Sequence, residues 1–414
     1  MNLRSSTALG LVLAAGVGAL VAWPVLAQQA AAPAAKEPPP SWAQGRPSDA
    51  IQLAPVVGPP IAAAADKVPV GQLKVPKGFN IEVYATGMAN ARSMRQGDKG
   101  TIFVGSRLTK NVYAVIDKGD HREVKVLYND LYRPNGIAYK DGTLYIAELS
   151  QVSKVENIED HLDNPPKPTV IYSDLPKDEA HGWKFIGIGP DNKLYVPVGQ
   201  PCNNCLPPPT HGQIRRINLD GSGAEVIAYG IRNTVGFDWN PRNDELYFTD
   251  NGRDWLSEEL PNDKLNRITK VGQDFGEPIC HQGDIPDIEF GWGHSCSEFV
   301  PPVALMGPHA AALGMKFYTG RMFPAEYRDQ IFVARHGSWN KTVKFGGDIA
   351  VVMLNRNGTV KSVESFITGF LVNNNYIGRP VDVMNMPDGS MLISDDYNGA
   401  VYRVSYGSKS VAGN

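Results

Sequence analysis

The sequence predicts an all-β fold, a six-bladed β-propeller, on the strength of three observations. A short apolar segment of one kind recurs six times, a turn signal precedes most copies, and no segment of helical length with a 3.6-residue period lies between them. Antiparallel hairpins repeated at intervals of roughly 40 to 85 residues are typical of propeller blades. One domain suffices for all six repeats, because each blade adds its own part of the core.

The recurring segments are rich in β-branched and aromatic residues, and each is predicted to be a strand. The six segments are Thr101–Gly105, Thr143–Ala147, Lys193–Pro197, Glu245–Thr249, Gln330–Ala334 and Ser390–Ser394. Turn sequences such as Asp141-Gly142 and Pro387-Asp388-Gly389 precede most of them, and a second apolar segment lies before each turn. Each pair of segments therefore forms a β-hairpin.

Residues 1–27 have the features of a cleaved signal peptide. Arg4 supplies a basic start, residues 8–22 are apolar, and Val25-Leu26-Ala27 has the small-residue spacing of a cleavage site. A retained membrane anchor is the alternative, although the apolar stretch is short for a span. We expect an exported, periplasmic protein with no stable membrane span after cleavage.

Three further regions follow the signal peptide. Residues 28–70 are Ala/Pro-rich and are predicted to form a tether without chemistry, residues 71–407 the six-bladed propeller catalytic domain, and residues 408–414 a C-terminal tail. The net charge is −3 and the isoelectric point is about 6.3. Nucleic acid is therefore not an expected partner, because binding to phosphates requires a basic face.

Four cysteines in an exported chain favour disulfide bonds. Cys202 and Cys205 are separated by two asparagines, a spacing that also suits a redox motif or half of a zinc site. Covalent haem attachment is excluded because Leu206 follows Cys205 where a histidine is required. The run Leu206–Pro209 cannot begin the helix that a redox motif favours, so a structural disulfide is the preferred interpretation.

Cys280 and Cys296 flank an insertion rich in Gly, His and Asp. A disulfide between them would staple a long loop at the mouth of the channel. Metal binding by these two cysteines with His281 and His294 is the alternative, and export again favours the disulfide.

Residues at equivalent places in the six repeats are expected to meet, because the innermost strand of every blade lines a central channel. The polar side chains on these segments are Arg92, Arg133, Asn135, His181, Arg232, Asn233, His309 and Arg379. Four arginines and two histidines in one funnel repel one another and lose hydration unless an anion binds between them. The sequence therefore predicts a cavity for an anionic ligand.

Three of these positions suggest specific chemistry. His181 is predicted to be a general base, in a funnel with arginines and beside Gly182, which would let a ligand approach closely. Arg232 could pack along the seam between blades or act as an electrophilic clamp on a developing oxyanion. The segment Thr249–Asp254 could bind a hard divalent cation through carbonyl and carboxylate oxygens, or could be an ordinary hairpin turn.

These residues carry a family resemblance. The segments Ala180–Phe185, Gly230–Trp239, Phe248–Trp255, His336–Asn340 and Gly378–Val383 together resemble the pyrroloquinoline-quinone (PQQ)-dependent sugar dehydrogenases of the soluble glucose/sorbosone dehydrogenase family, most closely its L-sorbosone dehydrogenase-like branch. The similarity extends over about residues 71–406.

The resemblance implies a six-bladed propeller that holds PQQ and Ca²⁺ over the channel. It implies His181 as general base and Arg232 as the residue that stabilises charge on the quinone. The residues implied or suggested as cofactor ligands are Arg232, Asn233, Asn251, Arg379, Arg92 and Lys341, the last in an altered loop with Arg335 and His336 where relatives have a lysine. The backbone carbonyls of Gly252 and Arg253 are implied as Ca²⁺ ligands.

The implied reaction is oxidation of a sugar or aldehyde by hydride transfer to the quinone, with electrons passed to an external quinone or cytochrome. The sequence departs from the family pattern at two positions, and the first of them, beside the base, bears on the substrate. Ala180 stands where glucose-type members have an acidic residue, and Val381 replaces a second arginine. We expect a preference for smaller or open-chain carbonyl compounds, sorbosone among them, over glucose.

Two other classes of function compete with this one. Arg133–Ile137 resembles the calcium-binding asparagine strand of six-bladed lactonases, but the arginines disfavour a bare cation in the channel. A non-catalytic propeller that binds a periplasmic protein or glycan would not need a histidine beside an arginine cluster.

Overall fold

The structure, a computed structural model, describes residue 59 and residues 61–407. These residues form 29 strands and five short 3₁₀ helices, with no α-helix among them. Six sheets of four or five strands form the blades, and the innermost strands of neighbouring blades contact one another. The predicted six-bladed propeller is confirmed. The predicted signal peptide and C-terminal tail, and most of the predicted tether, lie outside the described residues.

The first half of the chain forms one edge strand, two complete blades and four of the five strands of blade III. The edge strand is β1 (Phe79–Ala85). Blade I contains β2 (Ala91–Gln96), β3 (Ile102–Ser106), β4 (Val112–Asp117) and β5 (Arg122–Tyr128). Blade II contains β6 (Gly136–Lys140), β7 (Thr143–Ala147), β8 (Val152–Val155) and β9 (Thr169–Tyr172). Blade III begins with β10 (Gly187–Ile188), β11 (Lys193–Val198), β12 (Gln213–Asn218) and β13 (Glu225–Tyr229).

The second half completes blade III and forms the remaining blades. Blade IV begins with β14 (Phe237–Trp239), β15 (Leu246–Asp250) and β16 (Asn262–Ile268). The chain then returns to the edge of blade III as β17 (Gln273–Asp274) and forms a separate hairpin of β18 (Cys280–His281) and β19 (Ile285–Pro286). The last strand of blade IV is β20 (Ala304–Pro308). Blade V contains β21 (Ala312–Phe317), β22 (Ile331–Arg335), β23 (Asp348–Leu354) and β24 (Val360–Ile367). After the hairpin of β25 (Leu371–Val372) and β26 (Asn375–Tyr376), blade VI contains β27 (Pro380–Asn385), β28 (Met391–Asp395) and β29 (Ala400–Tyr406).

The short 3₁₀ helices lie at the N-terminal edge and in loops between strands. Their bounds are Ala65–Lys67, Val70–Gln72, Ile158–Asp160, Cys296–Glu298 and Ala325–Tyr327. No helix among the described residues has the length and apolar composition needed to cross a membrane.

The six recurring segments are the second strands of the blades, as the hairpin pattern predicts. They coincide with β3, β7, β11, β15, β22 and β28, and each pairs antiparallel with the strand before it. Short apolar runs and turn residues are local properties of the sequence, which is why they identify the hairpins correctly.

The ring is closed by β1, which pairs antiparallel with β29 at the outer edge of blade VI. The register joins Phe79 to Tyr406 and Ala85 to Val401. Blade VI therefore combines strands from both ends of the repeat region. Phe79 also packs edge-on against Phe366, with 4.9 Å between ring centroids. The same hydrophobic cluster includes the buried Val68, which lies inside the predicted tether.

Several residues predicted on innermost strands lie instead in the turns that precede those strands. Residues 180–184 come before β10, and residues 232–236 come before β14. Arg133, His181 and His309 have left-handed backbone conformations, with φ of 55°, 49° and 52°. Side chains therefore reach the channel mouth from the turns, not from the flat faces of the strands.

Candidate active site at the channel mouth

The polar residues that were predicted to meet line a cavity of about 840 Å³. Its walls include the predicted residues Arg92, Arg133, His181, Arg232, Asn233, Asn251, Gly252, Arg253, His309 and Arg379. Asn135 does not line the cavity, but its Oδ1 accepts a hydrogen bond from Nε of Arg92 at 2.9 Å. Turns from distant repeats thus form one arginine-rich site.

The imidazole of His181 is oriented by a single backbone carbonyl. Its Nδ1 lies 2.9 Å from the oxygen of Gln200, and a carbonyl oxygen can only accept, so Nδ1 carries the proton. Nε2 has no hydrogen-bond partner among the described residues and keeps its lone pair in the neutral ring. Burial, followed by the charge of Arg232, holds the pKa of His181 well below the usual value of 6.5. His181 is therefore a neutral base at pH 7.

The prediction that Gly182 lets a ligand approach is wrong, because other protein atoms fill the space beside it. A Cβ there would lie 2.0 Å from the carbonyl oxygen of Asp178 and 2.4 Å from Leu149. The close approach that matters to the base occurs at Gly199, where a Cβ would lie 2.5 Å from Cβ of His181. Both glycines therefore allow the turn of His181 to pack, and neither makes room for a ligand.

The backbone of Arg232 and Asn233 is fixed by a buried carboxylate at the end of β15. Asp250 Oδ1 accepts the backbone N–H of both residues, at 3.1 and 2.7 Å. In blade VI, Asp395 at the end of β28 accepts the N–H of Arg379 at 2.9 Å in the same way. A carboxylate at the end of a second strand thus determines where the adjacent arginine enters the cavity.

The guanidinium of Arg232 is held by four hydrogen bonds. Nε and Nη2 donate to the backbone and side-chain oxygens of Asn203, at 2.8 and 2.9 Å. Nη1 donates to the carbonyl of Asn251 at 3.2 Å, and Nη2 also donates to Asp254 at 3.1 Å. One N–H of Nη1 has no acceptor among the described residues. The two predicted roles of Arg232, packing between blades and binding a developing oxyanion, are therefore compatible. The side chain is held by the protein and still has one N–H to donate.

The segment after β15 offers carbonyl oxygens, not carboxylates, to a cation. Asp250 faces the backbone beneath it, and Asp254 is bound by Arg232 and by Asn340 at 2.9 Å, so neither carboxylate is available. The carbonyls of Gly252 and Arg253 accept no hydrogen bond among the described residues. The guanidinium of Arg253 is directed to Asp287, 2.6 Å away, which neutralises its charge.

A second group of charged residues lies across the cavity. Arg92 Nη1 bonds to Asp396 at 2.8 Å, and the other carboxylate oxygen of Asp396 lies 2.8 Å from His336 Nε2. Burial and then Arg379 lower the pKa of His336 to about 4, so this imidazole is neutral and donates to Asp396. Arg379 donates to the carbonyls of His336 and Gly337, at 3.1 and 2.6 Å.

Comparison with known proteins identifies the family. A family model described as Glucose / Sorbosone dehydrogenase matches residues 145–403. The chain belongs to the glucose/sorbosone dehydrogenase family. The predicted family and enzyme class, an oxidoreductase, are thereby confirmed.

Individual relatives agree with this assignment. A protein of Borreliella burgdorferi, named only as uncharacterized, is 32% identical over 360 residues, which cover 84% of this chain and 94% of the relative. Aldose sugar dehydrogenase YliI of Escherichia coli is 27% identical over 249 residues, 55% of this chain and 58% of the relative. The holo form of the pyranose dehydrogenase PQQ domain from Coprinopsis cinerea has the same fold, with a TM-score of 0.68 and 19% identity over 80% of this chain and 97% of that chain.

Lys341 is not among the residues that line the cavity of this family member. Its ammonium group bonds to the carbonyl of Glu258 and, at 2.8 Å, to the carboxylate of Glu259. The neighbouring Arg335 pairs with Asp348, so of Arg335, His336 and Lys341 only His336 lines the cavity.

Both predicted disulfides are present, Cys202–Cys205 and Cys280–Cys296. The first supports Asn203, which bonds to Arg232. The second closes the loop that contains Asp287, the partner of Arg253. The proposed metal site of cysteines and histidines is therefore wrong, because the sulfurs are consumed by the disulfides.

The two histidines of this loop have different environments. His281 is fully buried, with Nδ1 2.9 Å from Glu277 and Nε2 2.7 Å from Asp287, and is not among the residues that line the cavity. His294 is exposed and contacts Glu298 at 3.0 Å.

Sequence reasoning missed Arg107, His336 and Asp396, which share a position in the repeat. Each directly follows the second strand of its blade, after Ser106, Arg335 and Asp395. Asn251, which follows β15, occupies the same place and was predicted only through the family resemblance. Alignment of the repeats at the end of the second strand would have identified all four.

Proposed function

We propose that this protein oxidises a sugar or aldehyde with bound PQQ and Ca²⁺ and passes the electrons to an external quinone or cytochrome. The observation that carries the proposal is the unprotonated Nε2 of His181 in a cavity with arginines on several sides. A neutral imidazole beside fixed cations can remove a hydroxyl proton while negative charge develops on an acceptor.

The residues of the cavity fit an anionic quinone. PQQ is a tricarboxylate, and Arg92, Arg232 and Arg379 contribute guanidinium groups from three blades. We assign Asn233 and Asn251 as further ligands, with their side-chain amides joined at 3.2 Å.

Ca²⁺ fits the carbonyl oxygens of Gly252 and Arg253. Hard divalent cations prefer oxygen ligands, and these two lie on the cavity wall. Asp263 holds the segment in place by accepting the N–H of Gly252 at 2.9 Å. The bound cofactors supply a carbonyl that accepts hydride and a metal that polarises it. Gln200 keeps the proton of His181 on Nδ1, so that Nε2 receives the substrate proton, and Arg232 contributes its remaining N–H to the developing charge.

Reconstitution tests this function. Apoprotein incubated with PQQ and Ca²⁺ should reduce a redox dye in the presence of sugars or aldehydes, and omission of either cofactor should remove the activity. The proposal would be rejected if absorbance shows bound PQQ but none of a broad panel of sugars and aldehydes supports reduction of the dye. Hydrolysis of lactones by the same sample would favour the lactonase, although the described residues contain no cluster of three or more acidic or histidine ligands for its metal.

The pH dependence follows from the lowered pKa of His181. The active form is the neutral imidazole, so kcat/KM should be constant at neutral pH and should decline only below pH 6.5, where His181 becomes protonated. Steady-state kinetics of the reconstituted enzyme, with PQQ affinity determined at each pH, measure this limb. A midpoint at or above 6.5 that does not follow cofactor loss would contradict the assignment.

We propose small or open-chain carbonyl compounds as preferred substrates, in keeping with the sorbosone-like branch. Ala180 lines the cavity and offers no carboxylate beside the base, so a pyranose hydroxyl has one acceptor fewer there. We expect kcat/KM to be higher for aldosuloses and simple aldehydes than for glucose. A clear preference for glucose would contradict this prediction. Reaction outside the cytoplasm is part of the proposal and is supported by the two disulfides and the predicted signal peptide.

A further inference from the structure

Arg107 differs from every other arginine that lines the cavity. The others are bound by protein acceptors: Arg92 by Asp396, Arg133 by Glu179, Arg232 by Asp254, Arg253 by Asp287 and Arg379 by backbone carbonyls. Within the described part of the chain, the guanidinium of Arg107 has no hydrogen bond and no ion pair, and its buried Nε is unsatisfied. A buried donor without an acceptor is costly unless a ligand supplies one.

The position of Arg107 is nevertheless well fixed. Asn90 Oδ1 accepts the backbone N–H of Arg107 and of Leu108, both at 2.8 Å, which holds the loop after β3. The guanidinium lies over the indole of Trp183, 3.6 Å from the ring centroid. Arg107 is therefore held at the cavity wall by its backbone and by a flat aromatic face, with its N–H donors unused.

The charges around Arg107 favour an anion. Burial, followed by Arg92 and Arg133, lowers the pKa of Arg107 to about 9, so its positive charge is unfavourable in the protein alone. Two carboxylates near Arg107 are already bound, Asp396 by Arg92 and His336, and Glu179 by Arg133 and the hydroxyl of Tyr132. Ala180 adds no negative charge beside the base.

We propose that Arg107 binds the carboxylate of an acidic sugar, which makes sugar acids such as hexuronates a substrate class of this enzyme. The inference rests on the proposed function and extends it to substrate charge. Trp183 contacts both Arg107 and His181, whose ring lies 6.1 Å away and nearly edge-on. In an open-chain hexuronate the carbon chain separates the reactive carbonyl end from the carboxylate, and the indole of Trp183 likewise connects the imidazole of His181 with the guanidinium of Arg107. Arg107 is thus a specificity residue near the base, whose pKa its charge helps to lower, while Arg92 and Arg379 also lie within electrostatic range of Arg107.

The test compares two sugars that differ mainly in one carboxylate, D-glucuronate and D-glucose, on the reconstituted enzyme. Arg107→Met should raise KM for D-glucuronate by about ten- to a hundredfold, the loss expected for a charge-assisted pair, and should change kcat/KM for D-glucose less than twofold. Lys110→Met is the matched control, because it removes one positive charge from the same loop at an exposed position. The control should leave both sugars unchanged. Since Arg107 has no protein acceptor, its replacement should not lower Tm.

Three outcomes would overturn the proposal. The first is an equal effect of Arg107→Met on kinetics with both sugars, and the second is no effect on either. The third is a parallel loss of PQQ affinity, which would show that Arg107 binds a carboxylate of the cofactor and not of the substrate. Arg107→Lys, which keeps the charge without the forked donor, replaces the Met variant if that variant does not fold. If no sugar is oxidised at all, the proposed function fails, and calorimetric titration of the protein with D-glucuronate still decides the role of Arg107. Binding of D-glucuronate that Arg107→Met abolishes would support it, and no binding by the wild type would overturn it.

Discussion

His181→Ala should leave PQQ bound and lower turnover by at least about a hundredfold, the contribution typical of a general base. The reason lies in the geometry of one ring: Gln200 fixes the proton on Nδ1, and Nε2 alone remains to accept a proton from the substrate. No other cavity histidine can replace it in this position. His309 donates from Nε2 to the carbonyl of Ser257 at 2.8 Å and accepts at Nδ1 from Asn340 at 3.2 Å.

The measurement is kcat under saturating substrate, with bound cofactor quantified by absorbance in the same sample. His121→Ala is a suitable control, since His121 is exposed in the turn between β4 and β5 and its side chain bonds to Asp120 at the surface. Wild-type turnover in His181→Ala with intact cofactor would remove His181 from the mechanism. Partial rescue by added imidazole would instead strengthen the assignment, because a merely structural role would not respond to a diffusible base.

The fold could be predicted further than the site, for reasons visible in particular residues. The short apolar run in Thr143–Ala147 and the turn at Asp141-Gly142 are local signals, and the structure contains the hairpin where they place it. Closure of the ring by β1 was not predicted, because pairing of Phe79 with Tyr406 leaves no trace in either segment alone.

In the site, residues before the innermost strands were found because the repeat aligns them, although they lie in turns. Arg107 and His336 were missed because the predicted list used only those segments, whereas both residues follow second strands. Gly182 was misread for a different reason. The sequence shows that a side chain is absent, but only the structure shows that the carbonyl of Asp178 occupies the space.

Arg379→Ala should weaken PQQ binding by about ten- to a hundredfold, because a charge-assisted hydrogen bond contributes roughly 1.5 to 3 kcal/mol. Arg379 lines the cavity, and its backbone N–H is anchored by Asp395. Its guanidinium also stacks on Tyr376, 4.9 Å from the ring centroid, and donates to two carbonyls of the His336–Gly337 turn. Truncation therefore has two effects, loss of a cationic ligand and loosening of that turn.

Measurement of both quantities separates these effects. PQQ affinity is obtained by titration in the presence of Ca²⁺, and the stability of the apoprotein by thermal unfolding. Arg403→Ala removes one arginine from the same blade, far from the cavity lining, where Arg403 pairs with Asp388 and Glu82, and should leave PQQ affinity unchanged. If Arg379→Ala lowers Tm but leaves PQQ affinity equal to the wild type, Arg379 is a packing residue of the turn. A fall in affinity with nearly unchanged Tm would show that the cofactor itself uses the guanidinium, because the two turn carbonyls freed by the truncation can accept hydrogen bonds from water.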